Sequence, residues 1–162
     1  MVSRKERRPR LTCGGWALLE RPINEKSIRA VGIYISGVAC RKARQRGLDI
    51  IVADIKKGFC LRKGLFDVAV CSEVLEHTVE PERILEALKK AARKVYVSIP
   101  NIAYYPHRLR LPSGNCPVQY VFHPAEHLRF WSVSDFTGFV RKFDYNVERV
   151  KPSNGFPLLY RL

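Results

Sequence analysis

The hexapeptide "SEVLEH" (72–77) sets Glu73, Glu76 and His77 close together, two carboxyls and an imidazole able to take, hold and release a proton. In a helix the three share one face. A packed, hydrogen-bonded histidine is the plainer alternative for His77. Further along, "HPAEH" (123–127) matches the H-x-x-E-H pattern in which two histidines one helical turn apart bind zinc. Pro124 favours a turn or helix start there and no third ligand is evident, so no metal site is expected. Asp54 is a carboxylate able to accept hydrogen bonds from an amine such as the exocyclic amine of adenine, or simply to form a turn. Cys71 offers a nucleophilic sulfur, although a cysteine ending an apolar strand commonly serves as a small core residue. The adjacent Gly14 and Gly15, between a basic run and an apolar segment, predict a tight turn. There is no G-x-S-x-G elbow, P-loop or paired-cysteine motif.

These residues need elements to position them. "RAVGIYI" (29–35) reads as a strand, after which Ser36 caps a helix through "GVACRKARQR" that stops at Gly47. "LDIIVADI" (48–55) is the next strand and ends near Asp54. "FDVAVC" (66–71) is a third, apolar enough to be covered on both faces. In "VEPERILEALKKAARK" (79–94) Pro81 suits a first helical turn, and Ile84, Leu85, Leu88 and Ala92 fall on one face. "KVYVSIP" (94–100) follows as a strand. The proline- and tyrosine-rich stretch 101–125 predicts a long excursion over the sheet edge. "SVSDFTGFVRKF" (132–143) predicts a helix with Ser132 and Asp135 in capping-box positions, and "YNVERV" (145–150) a last strand. Strands alternating with helices make an α/β fold, a mostly parallel, Rossmann-like sheet flanked by helices. In such a sheet ligands bind at the carboxyl ends of the strands, which singles out Tyr34, Ser36, Asp54, Cys71, Ser72, Glu73, Ser98 and Asn101.

The chain has 162 residues, 46% of them hydrophobic, the size of one domain with a real core. We expect a basic arm over 1–10 and a single domain over 11–162. No apolar run approaches a bilayer span and the first residues lack the apolar stretch of a secretory signal, so a soluble, cytoplasmic protein without membrane contact is expected. The five cysteines are scattered and odd in number, which suggests reduced thiols rather than a disulfide framework. A net charge of +14 attracts polyanions, so a nucleic acid or an acidic protein is a candidate partner through the basic surface. The clusters Arg4, Lys5, Arg7, Arg8, Arg10 and Arg41, Lys42, Arg44, Arg46 are either that contact or a solvated face. Oligomeric state is not legible.

The segments "GLDIIVADI", "FDVAVCSEVLEHTVEPERILEAL", "VYVSIPN" and "EHLRFWSVSDF", in that order and spacing, resemble class I S-adenosylmethionine-dependent methyltransferases, nearest the MetW and methyltransferase type 11 branch. The similarity runs from about Cys13 to Gly155. It implies a Rossmann-like sheet, usually completed by an antiparallel final strand, with S-adenosylmethionine bound over the first four strands. By that resemblance Gly14 and Gly15 belong to the cofactor turn, Asp54 meets the adenine, and Cys71, Ser72 and Glu73 line the methionine end. "IPN" and the excursion after it then shape the acceptor pocket, with His127 and His77 as its polar groups.

Three positions depart from the family pattern. The usual acidic residue and G-x-G-x-G turn fall on Arg10, Thr12, Gly14 and Trp16, and Pro9 with its neighbouring arginines predicts a poor buried strand. Tyr34 replaces the acidic residue that holds both ribose hydroxyls. The final "GFPLLYRL" stands where the antiparallel strand is expected, and either serves for it or leaves the sheet incomplete. The resemblance implies a methyltransferase for an acceptor the sequence does not identify. The alternative is an inactive methyltransferase-like regulatory module that presents its basic surface to RNA or to a protein partner, as MetW proteins are associated with a partner acyltransferase.

Overall fold

A computed structural model describes residues 10–13, 30–57, 62–117 and 127–152. Five parallel strands form one sheet in the order β3-β2-β1-β4-β5. The central strand is β1 (Arg10–Cys13), flanked by β2 (Ala30–Tyr34) and β4 (Phe66–Ser72), with β3 (Asp49–Val52) and β5 (Ala92–Ser98) outside them. Cys13 lies level with Ile33 on one side and Cys71 on the other.

A central β1 overturns the expectation of a poor buried strand. The strand is only four residues long and begins after Pro9, so no proline interrupts its ladder. Its single charged residue, Arg10, sits half-buried at the entrance, while Leu11, Thr12 and Cys13 are buried.

Side-chain alternation along β2 builds two cores on opposite faces. Val31 and Ile33 join the larger cluster, with Leu11, Cys71, Leu75 and the helix residues Ile84, Leu85 and Leu88; Ala30 and Tyr34 pack with Cys40, Ala43, Leu48 and Ile50. The smaller cluster is covered by α1 (Gly37–Gln45), whose cap is the expected one: Ser36 Oγ accepts from the Ala39 amide at 3.3 Å. Arg44 is not a free surface charge, because its guanidinium donates to the Ile50 carbonyl at 2.7 and 3.1 Å and ties α1 to β3.

Helix α2 (Pro81–Ala91) buries the predicted apolar face of Ile84, Leu85 and Leu88. It ends earlier than the sequence suggests and runs straight into β5, leaving Lys94 in the strand. Ladder pairing decides this: Ala92 is level with Phe66, and the Gly64 amide takes the Lys90 carbonyl at 2.9 Å. Among its described residues the excursion contains a short helix, α3 (Tyr105–Arg110), followed by a 3-10 turn. Helix α4 (Val133–Arg141) has the expected capping box between Ser132 and Asp135. Its Phe136 and Phe139 pack edge-on and tilted against Trp131, with centroids at 5.3 and 5.6 Å.

The last expected strand does not form. Residues 145–150 make no ladder among the described residues, yet their alternation is used: Tyr145 and Val147 pack on the larger core. Tyr145 donates to the Leu85 carbonyl at 2.6 Å, and Glu148 meets Lys94 at 2.7 Å. The segment "GFPLLYRL", together with Gly14, Gly15, Trp16 and His123, lies outside the described residues. Among those described, no helix is long and apolar enough to cross a membrane.

Candidate active site

Strand order reverses between β1 and β4, so the crevice at their carboxyl ends is where an open α/β sheet accepts a ligand. Tyr34 ends β2 level with Val52, and Asp54 follows two residues later, half-buried at the start of a 3-10 turn. The Lys57 amide bonds the Asp54 carbonyl at 3.1 Å. Ala53 in turn donates its amide to the Tyr34 carbonyl at 3.1 Å, which keeps the β2 and β3 ends together. Sequence and structure therefore agree that Tyr34, Asp54 and Cys71–Glu73 share one edge of the sheet.

At the end of β4, Cys71 is fully buried and its thiol is pushed well above its ordinary pKa by burial. Cys13 beside it is likewise pushed up to about 12. Protonated and enclosed, Cys71 is a packing residue and not a nucleophile. Ser72 and Ser98 share a 2.8 Å hydrogen bond between their hydroxyls, and Ser98 Oγ also donates to Glu73 Oε1 at 2.7 Å. The Glu73 amide donates to the Ser98 carbonyl at 3.2 Å. These contacts hold Glu73 at φ 51°, a left-handed conformation that costs a non-glycine residue of order 1–3 kcal/mol and concentrates at functional sites.

The segment after Glu73 is not the helix that would have put Glu73, Glu76 and His77 on one face. It is a 3-10 turn, Leu75–His77, locked by Thr78, whose hydroxyl donates to the Leu75 carbonyl at 2.8 Å. Glu73 turns to Ser98, whereas the Glu76 side chain is driven inward to 1% exposure and His77 stays partly open. Burial pushes the Glu76 carboxyl up to about 8, with the Glu73 carboxylate adding to the rise and the backbone opposing it. Glu76 thus carries a proton at neutral pH.

The structure then adds a partner that no local pattern indicates. The Glu76 carbonyl accepts from the amides of Leu128 and Arg129 at 2.7 and 3.1 Å, and Arg129 donates to the Val79 carbonyl at 2.7 Å. The next residues continue onto the end of β5, where Trp131 bridges Asn101 and takes the Ile102 amide at 3.0 Å. This clamp brings His127 to His77, ring centroids 4.8 Å apart and edge-on, while His77 Nε2 lies 3.9 Å from Glu76 Oε1. Two motifs that look separate in sequence thus form one cluster. The recess of about 550 Å³ lined by Arg44, Gly47, Asp49 and Ile51 is distinct, at the amino end of β3.

Comparison with known proteins places this arrangement. The family model described as "Methionine biosynthesis protein MetW" matches residues 1–154. No curated protein matches the chain. Among solved structures, an S-adenosylmethionine-dependent methyltransferase from Thermotoga maritima is similar at 20% identity and a TM-score of 0.62, over 83% of this chain and 62% of that one. The complex of the Haloferax volcanii Trm112 methyltransferase activator with a methyltransferase gives 16% and 0.62, over 83% and 60%. The [4+2]-cyclase SpnF gives 19% and 0.62, over 84% and 51%. The chain thus spans between half and two thirds of the length of these structures. At such identities the likeness establishes the class I methyltransferase fold, and the cyclase shows that this fold also carries other reactions.

Proposed function

The chain belongs to the MetW family, and we propose that it is an S-adenosylmethionine-dependent methyltransferase whose cofactor lies across the carboxyl ends of β1 to β4. The observation that carries the reading is the shared edge: Cys71–Glu73 stand at the end of β4, beside the reversal of strand order, and Asp54 stands on the same edge of the sheet after the outer strand β3. Asp54 accepts from the adenine amine, and Ser72 and Glu73 line the methionine end. Tyr34 offers one hydroxyl and a ring face where a carboxylate is usual, a substitution that weakens the ribose contact. S-adenosylmethionine supplies a methyl group activated by its sulfonium. The chain's own contribution is alignment of the acceptor, with His77 and His127 as the polar groups beside it; methyl transfer from a sulfonium needs alignment first and a base only as an option.

A protein partner with an acidic surface belongs to the same proposal. Its support is the +14 charge together with the end of α3 and the turn after it, where exposed Leu109 and Leu111 alternate with Arg108 and Arg110. The activator bound to the Haloferax methyltransferase shows the kind of assembly meant.

The test is calorimetric titration with S-adenosylhomocysteine. Wild-type binding should weaken about tenfold or more in Asp54→Ala and tighten about tenfold in Tyr34→Asp, as gain or loss of a charge-assisted hydrogen bond of about 1.5–3 kcal/mol requires. Absence of binding in both the wild type and Tyr34→Asp overturns the proposal.

A further inference from the structure

Glu76, His77 and His127 each offer one ligand atom, and these atoms all lie within 4.8 Å of one another. Both Glu76 carboxylate oxygens are buried and accept no hydrogen bond from an N–H or hydroxyl donor among the described residues, and the side chain that faces them is another acid, Glu73. A polar group so enclosed normally has a partner, since leaving it without one costs about 1–3 kcal/mol or more. Nothing in the fold requires Glu76 to be acidic for packing, because Leu75 and Thr78 already close the turn.

We propose that Glu76, His77 and His127 form a binding site for one divalent transition-metal ion, with Zn²⁺ the best match. Two imidazoles and one carboxylate are a mixed N/O set that suits zinc and its first-row neighbours, whereas magnesium and calcium prefer oxygen alone. Ligands of a tetrahedral zinc stand about 3.3 Å apart, given bonds of about 2.0–2.2 Å. The cluster therefore contracts by roughly 1.5 Å at its widest, which the partly exposed His77 allows by side-chain rotation. The backbone is already in place, since the Leu128 and Arg129 amides fasten the residue after His127 to the Glu76 carbonyl. Binding releases the Glu76 proton, and three protein ligands leave a fourth position open to water or to an oxygen of a bound molecule. The site stands whether or not the chain transfers methyl groups.

The experiment uses the full chain, stripped with a chelator and titrated with Zn²⁺ by calorimetry and thermal melting, without S-adenosylmethionine. One equivalent should bind, and a hundredfold excess over Kd should raise the melting temperature by about 5–10 °C. His77→Ala and His127→Ala should each weaken binding by about tenfold or more, while His107→Ala on α3 leaves it unchanged. Co²⁺ bound to the wild type should show no thiolate charge-transfer band, a readout that needs no variant to fold. Zinc binding that survives both histidine substitutions, a thiolate band, or no binding by the folded wild type overturns the proposal.

Discussion

The two halves of the sheet edge are built differently. At the ends of β4 and β5, Ser72, Ser98, Glu73, Thr78, Arg129 and the Glu76 carbonyl form a continuous hydrogen-bonded frame over a fully buried leucine. At the ends of β2 and β3 the frame is thinner: Tyr34 packs on the smaller core, Val52 is 48% exposed, and the polar groups there are Tyr34 and Asp54. The contrast locates what each half can do. The β4–β5 end is preorganised, with strain at Glu73 and a proton on Glu76 held by surrounding structure, while the β2–β3 end keeps position with fewer polar contacts.

The sharpest break of this contrast is a pair of truncations. Leu75→Ala should cost about 3–4 kcal/mol in urea unfolding, because it opens a cavity beneath the frame. Val52→Ala should cost less than about 1 kcal/mol. Equal costs would mean that the two ends are supported alike.

Next in size is the pH response of Glu76. Its folded carboxyl titrates near 8 against an ordinary 4.5, so between these values the folded state keeps a proton that the unfolded state releases. Its contribution to stability is therefore full below pH 4.5, falls as pH rises towards 8, and is level above that. In chelator, the wild type should lose up to roughly 5 kcal/mol across this window relative to Glu76→Gln. Parallel profiles for the two proteins would place the carboxyl in water.

The smallest effect tests the frame itself. Ser98→Ala removes the hydroxyl that joins Ser72 to Glu73 and should cost about 1 kcal/mol. Arg44→Gln, which loses the tie from α1 to β3 on the other side, should cost a similar amount without altering binding at the β4–β5 end.

Much of the scaffold is legible from neighbours in the chain. The Ser36 and Ser132 caps, the apolar face of α2 and the apolar run of β4 depend on residues a few positions apart, where local sterics and hydrogen bonding act. Boundaries were harder wherever a ladder competed with local preference. At Ala92 pairing with Phe66 wins over helix continuation, and at Tyr145 a half-buried alternating segment finds core contacts without a strand partner.

The site divides the same way. Asp54, Tyr34 and Cys71–Glu73 could be assigned to strand ends because a strand's terminus is written in its own residues. The inertness of Cys71 could not, since it follows from burial under β1 and the helices. Nor could the central place of β1, which four residues beside a basic run do not announce.

By itself, then, the sequence determined the order of strands and helices, their caps and the residues at the strand tips, all set by short-range periodicity. Only the tertiary structure decided that the Glu76 side chain is buried while His77 stays partly open, and that His127 meets His77. Those contacts join a 3-10 turn after β4 to a segment before α4, and they exist only once the intervening chain has folded back across the sheet.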